Sequence, residues 1–119
     1  MKKIIPIADA ELPIMKVLWD KGTLTSPEIF AEMEGNKSTL KTLLQRLVAK
    51  GAVEATEINS RTYRYRSIVT REEYTNATSK SFLQKVFDGS AEKMLINFVK
   101  EEKIGREDLQ KLLDLIEEE

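Results

Sequence analysis

Ser38-Thr39-Leu40-Lys41-Thr42-Leu43-Leu44-Gln45-Arg46-Leu47-Val48-Ala49-Lys50-Gly51 is the stretch on which the fold turns. Leu40, Leu43, Leu44, Leu47 and Val48 recur at i, i+3, i+4, i+7 and i+8, the spacing of one apolar stripe on a helix that faces a core. Opposite the stripe, at about 100° per residue, stand Ser38, Thr42, Gln45 and Ala49, with Lys41 and Arg46 on the flanks. There is no carboxylate anywhere from Lys37 to Lys50. A solvated helix ordinarily mixes Glu or Asp among its cations, because opposite charges four residues apart stabilise it. An acid-free outer face suits a helix that meets phosphate instead. Hydroxyls and an amide reach base edges while cations neutralise phosphates, the division of labour of a helix in the major groove. Lys37, Ser38, Thr39, Lys41, Thr42, Gln45 and Arg46 are the candidate DNA contacts of this helix.

Working outward, Leu12, Met15, Leu18 and Trp19 recur at helical spacing between Asp9, a candidate cap, and Gly22, predicting a first helix over 9–21 with Pro13 near its first turn. Thr25-Ser26-Pro27-Glu28 supplies a capping hydroxyl, an early proline and an acid at the positive end of the dipole. It opens a short second helix that carries Ile29, Phe30 and Met33 and stops at Gly35-Asn36, with Ser38 as candidate cap of the third. After Gly51 the period falls from 3.6 to 2. Val53 and Ala55 alternate with Glu54 and Thr56, Asn59-Ser60 supplies a turn, and Thr62-Tyr63-Arg64-Tyr65-Arg66 alternates aromatic with basic side chains. That pattern is a β-hairpin with Tyr63 and Tyr65 on one face and Arg64 and Arg66 on the other. The tyrosines read as a roof over the helices, stacking on bases being the other reading. Arg61 at the tip, together with Arg64, completes the candidate DNA contacts. Three helices followed by a hairpin is the order of a winged helix-turn-helix, so the fold class is mainly α with a small β-hairpin wing.

The chain has 119 residues, enough for one domain and an assembly segment but not for two full-sized cores. Hydrophobic residues at 41% and charged residues at 33% match a soluble globular protein. No apolar run nears the ~18 residues of a membrane helix, and Met1–Pro6 stops being apolar too soon for a signal-peptide core, so a cytoplasmic protein without membrane contact is expected. With neither cysteine nor histidine, disulfides, thiolate nucleophiles and the commonest base and metal ligand are missing; no metal, cofactor or catalytic residue is expected. Glu72-Glu73 and Glu117-Glu118-Glu119 are helix-dipole or solvated charges rather than a carboxylate pair for catalysis. The net charge of −1 conceals a partition. Residues 1–70 carry 11 Lys and Arg against 8 Asp and Glu, and residues 71–119 carry 8 against 12. Asn36–Arg66 holds seven cations against Glu54 and Glu57 alone, which points to a local polyanion site, or to a solvated face that happens to be basic.

Residues 1–69 form the expected DNA-binding domain and residues 70–119 a three-helix dimerisation region. Thr70 and Glu73 make a capping-box pattern that opens a helix with Tyr74, Phe82, Val86 and Phe87. Ser90 caps a second, with Met94, Leu95, Phe98 and Val99 on one stripe, and a third carries Leu109, Leu112, Leu113 and Ile116. Three apolar stripes in about fifty residues exceed what so small a unit can hide. A second copy of the chain would cover them and present two reader helices to a palindromic duplex; a monomer that buries them internally is the alternative.

Asp9–Trp19, Thr39–Gly51, Arg61–Tyr65, Thr70–Tyr74, Ser81–Gly89 and Leu95–Phe98 together resemble, in order, the BlaI/MecI family of penicillinase and methicillin-resistance repressors over nearly the whole chain. The family usually has a longer turn before the reader helix, often with Trp-Ser, where this chain has only Met33–Ser38. The resemblance implies a homodimeric repressor that occupies a double-stranded operator and blocks transcription. It also implies, for sensor-coupled members, inactivation by a sensor protease between an Asn and a Phe, which match Asn97 and Phe98; taken alone, Phe98 is a core residue of its stripe. Copper-responsive relatives carry a C-terminal cysteine cluster, and this chain has no cysteine. A winged-helix adaptor that binds a protein through the same basic face is the competing functional class.

Overall fold

The computed structural model describes residues 5–117, with side chains described as far as Asp114. The side chain of Ile116, assigned above to the dimerisation stripe, lies outside the described residues. Helices α1 (Leu12–Lys21), α2 (Ser26–Ala31) and α3 (Lys37–Ala49) are followed by a wing of β2 (Val53–Asn59) and β3 (Thr62–Ser67), with a two-residue strand β1 (Leu24–Thr25) between α1 and α2. Helices α4 (Arg71–Phe87), α5 (Ala91–Lys100) and α6 (Arg106–Glu117) complete the chain. The residues fall into two compact units, 1–75 and 76–119. The first therefore reaches beyond residue 69 and takes in the first turn of α4.

In the first unit the apolar stripes converge. Ile14, Met15 and Leu18 of α1, Ile29 of α2, Leu44 and Leu47 of α3, and Ala52 and Val53 at the start of the wing form one buried cluster, with Leu40 also buried. Leu43 and Val48, at the edges of the α3 stripe, are half-buried. Gly51, at φ +86°, turns the chain from α3 into β2, a conformation that disfavours any residue with a Cβ.

The sheet has three strands in the order β1-β3-β2, all antiparallel, one more than the hairpin alone. Leu24 and Thr25 pair with Tyr65 and Arg64, so the short segment before α2 is stitched to the central strand. A register irregularity falls between Glu57 and Asn59, just before the tip. Tyr65 is half-buried against the core, whereas Tyr63 lies beyond its edge and is exposed. The roof is thus one tyrosine, and burial pushes its hydroxyl up from the ordinary value, with a smaller contribution from Tyr63.

Helix starts differ from the sequence expectation in two places. α1 begins at Leu12, not near Asp9, because Glu11 is its N-terminal boundary and turns its carboxylate back to accept the Ala8 amide at 2.9 Å. α3 is capped by Asn36 and not by Ser38: the Asn36 Oδ1 accepts the amides of Ser38 at 2.8 Å and Thr39 at 3.3 Å. α2 has the expected capping box between Thr25 and Glu28 but ends at Ala31, ahead of Met33.

The first turn of α4 is tied to the winged unit. The Thr70 amide donates to Glu73 Oε1 and the Glu73 amide to Thr70 Oγ1, both at 3.0 Å, a reciprocal cap. Trp19 Nε1 donates to the Val69 carbonyl at 2.9 Å, its ring meets Tyr74 at 5.6 Å between centroids, and Arg71 lies over it while pairing with Asp20. In the second unit Phe87 meets Phe82 and Phe98 edge to face, at 5.8 and 6.3 Å between centroids. Among the described residues of α4 and α5 none is fully buried.

Candidate nucleic-acid interface

The packing of Leu40, Leu44 and Leu47 into the core sets the rotation of α3, and that rotation turns its hydrophilic side out. Lys37, Ser38, Thr39, Lys41, Thr42, Gln45 and Arg46 are all exposed. Ser38, Thr39, Thr42, Leu43 and Arg46 line a shallow open depression of about 210 Å³ on this face. The first turn of α3 contains no acid, so its outward charge is that of Lys37, Lys41 and Arg46.

Three hydrogen bonds decide what the hydroxyls can offer. Asn36 does the capping, which leaves Ser38 and Thr39 in the helix with their side chains on the exposed face. Thr42 Oγ1 donates to the Ser38 carbonyl at 3.0 Å. Its proton is committed to the backbone, so toward a ligand it presents lone pairs and a methyl group.

The cations of the basic stretch divide into three groups. Lys37, Lys41, Arg46 and Arg61 stand on exposed positions. Arg61 occupies the wing tip, where its amide donates to Asn59 Oδ1 at 3.1 Å and fixes the two-residue turn. Arg64 and Arg66 are exposed on the central strand but have acidic neighbours. Arg66 pairs with Glu54 at 3.0 Å, and the Glu28 carboxyl is held below its ordinary value by the Thr25 amide and hydroxyl and then by the charge of Arg64. Arg64 thus acts on an exposed acid, Glu28, as Arg46 does on the buried Glu11. Lys50 is turned inward: its Nζ donates to Glu11 Oε1 at 2.6 Å and to the Pro6 carbonyl at 3.1 Å. Glu11 is 1% exposed. Burial disfavours its charge, but the Lys50 and Ala8 hydrogen bonds and the charges of Lys50 and Arg46 outweigh burial and hold the carboxyl below its ordinary value.

This pair is what sequence reading missed. Glu11 and Lys50 are 39 positions apart, and no local period links them. The Asn36 cap left a local signal, a capping residue directly after Gly35 and before a helical stripe, which Ser38 two positions on obscured.

The expected assembly residues are mostly open. Phe82, Leu109, Leu112 and Leu113 are exposed, while Phe87, Met94, Leu95 and Phe98 are half-buried. Asn97 is exposed, and the Asn97–Phe98 bond lies inside α5.

Comparison with known proteins agrees over the full length. The family described as penicillinase repressor matches residues 7–118. The penicillinase repressor of Bacillus licheniformis is 31% identical over 122 residues, spanning 99% of this chain and 94% of that protein. The methicillin resistance regulatory protein MecI of Staphylococcus aureus (strain N315) is 28% identical over 118 residues, spanning 96% and 95%. Among solved structures, the DNA-binding domain of the repressor BlaI superposes with a TM-score of 0.54 at 33% identity, covering 62% of this chain and 94% of that one. The monomeric form of Bacillus licheniformis BlaI in complex with the blaP half-operator gives 0.51 at 32% identity, with the same coverage. A winged helix-turn-helix fold, a family match over residues 7–118 and 31% identity to a penicillinase repressor across 99% of the sequence make this chain a member of the penicillinase repressor family.

Proposed function

We propose that this chain represses transcription as a homodimer, each copy laying α3 in the major groove of one half of a palindromic operator. The observation that carries the reading is the exposed face of α3, where Ser38, Thr39, Lys41, Thr42, Gln45 and Arg46 stand together with no carboxylate in the helix. Lys37, Lys41 and Arg46 meet phosphates; Ser38, Thr42 and Gln45 reach base edges. Arg61 at the wing tip reaches the flanking backbone, with Arg64 as a weaker contact because Glu28 lies near it. The solved complex of BlaI with a half-operator supports DNA as the ligand class. No helix among the described residues is long and apolar enough to cross a membrane.

The open apolar stripes of α4–α6 are the surfaces that a second copy covers, through Phe82, Phe87, Met94, Leu95, Phe98, Leu109, Leu112 and Leu113. Control by a sensor protease at Asn97–Phe98 follows from the family likeness. It carries a physical requirement here, because proteases bind extended backbone and this bond is helical: α5 must unwind before cleavage. Loss of α6 from the assembly would then weaken dimerisation and lower operator affinity through lost bivalency.

The test is a titration of labelled duplexes, selected from a random pool, at rising salt. Binding should weaken with a log–log slope on the order of −0.9 per phosphate neutralised. Lys41→Glu should abolish it while leaving the melting temperature nearly unchanged. A chain that shifts no duplex yet captures an acidic protein through this face would be an adaptor, and the repressor reading would fall.

A further inference from the structure

We propose that Lys50 is a positioning residue for base recognition: although it ends the acid-free run Lys37–Lys50, its pairing with the buried Glu11 fixes the pitch of α3, and it does not contact phosphate. The inference deepens the DNA-reading function above and rests on it.

Lys50 is the C-terminal boundary residue of α3, where a cation also meets the negative end of the helix dipole. Two of its ammonium protons point into the protein, to Glu11 and to the Pro6 carbonyl. Glu11 Oε1 in turn accepts the Ala8 amide at 2.9 Å. One carboxylate oxygen at the head of α1 thus joins three pieces of chain: the segment before α1, α1 itself and the end of the reader helix. The Glu11 side chain is 1% exposed and that of Lys50 30% exposed, so the carboxylate is shielded while the ammonium keeps part of its contact with solvent. Lys41 and Arg46, by contrast, are exposed.

Geometry explains why such a tether matters for specificity. α3 has 13 residues, so it is about 20 Å long, and a tilt of about 3° about one end moves the other by about 1 Å. Hydrogen bonds to base edges weaken over a few tenths of an ångström. Phosphate contacts made by long, flexible Lys and Arg side chains follow such a shift. Packing of Leu40, Leu44 and Leu47 holds α3 against the core, and the Glu11–Lys50 pair adds a directional contact at the C-terminal end of the helix. The Asn36 bonds are local to the first turn of α3, whereas the Glu11–Lys50 pair links the end of the helix to the head of α1. Removing the second should cost base discrimination and spare general attraction to DNA.

The experiment compares the full chain with Lys50→Arg, Lys50→Gln and the double variant Glu11→Gln/Lys50→Gln. Each is titrated against the best palindromic duplex selected from a random pool and against an unrelated duplex of equal length. The double variant leaves no unpaired buried charge and keeps a folded protein available if Lys50→Gln alone fails to fold. In the double variant the ratio of specific to non-specific affinity should fall about tenfold, the scale of one lost base-pair contact. Non-specific affinity and the salt slope should not change, and Lys50→Arg should retain most of the ratio. A salt slope reduced by about 0.9 would make Lys50 a phosphate contact instead. An unchanged ratio with a lower melting temperature would leave the pair a stabilising role only, and either result overturns the proposal. If the unaltered chain selects no duplex over background, base reading itself fails, which is distinguishable from both.

Discussion

Ile14, Met15, Ile29, Leu44 and Leu47 of the winged unit are each at most 2% exposed, whereas Phe82, Val86, Ile96, Val99, Leu109, Leu112 and Leu113 of α4–α6 are each at least 36% exposed. Both regions contain side-chain-capped helices, α2 and α3 in the first and α5 in the second. In the first, three helices and a sheet close around one another, and a buried Leu or Ile side chain there contributes about 1.5–3 kcal/mol. In the second, similar stripes gain only part of that, because each is open along one side. The contrast teaches that the winged unit closes a core of its own, while the C-terminal helices leave apolar surface open, the surface that the proposed dimer would cover.

Breaking assembly should give the largest effect. Leu112→Glu with Leu113→Glu should convert a dimer to a monomer in sedimentation and lower affinity for a two-half-site operator by about 10²–10⁴-fold, with half-site affinity unchanged. An unaltered chain that sediments as a monomer at micromolar concentration would remove the proposed role of α4–α6. In the winged unit, Leu44→Ala should cost about 2–5 kcal/mol in urea unfolding through the cavity it leaves. A matching cost for Leu113→Ala in a monomeric background would blur the contrast between the regions.

A third expectation concerns pH. The folded Glu11 carboxyl lies below its ordinary value, so its stabilising contribution is present in full above the unfolded carboxylate range and is lost as pH falls through the folded value. Acid titration of the melting temperature should show this loss in the winged unit and a flatter profile in Glu11→Gln, which carries no titrating group there. The smallest effect is expected at the exposed Arg66–Glu54 pair, 55% and 51% exposed. Arg66→Ala should change stability by no more than about 1 kcal/mol, and less at high salt.

The winged fold was legible because its signals are local. Leu40 to Val48 declare a helix face within nine residues, the change of period after Gly51 declares the wing, and Thr25 with Glu28 declares a cap. β1 was not legible, since two residues have no period of their own and exist as a strand only by pairing with Tyr65 and Arg64. Tyr63 and Tyr65 share a side of the wing by alternation, yet only the extent of the core makes one half-buried and the other exposed. The outward residues of α3 could be named in advance, because the stripe fixes what lies opposite it. Their division into exposed cations, acid-neighboured Arg64 and Arg66, and inward Lys50 could not.

By itself, then, the order of residues determined where the helices and hairpin lie, which side of α3 is apolar, and that its other side lacks acid. Those properties repeat within a turn or two of chain, over distances that backbone geometry alone controls. Tertiary structure decided that Asn36 caps α3, that a third strand joins the wing, and that Lys50 is spent on Glu11 rather than offered to solvent. Each of these depends on backbone angles or on partners brought together from distant positions, and only the folded core sets those distances.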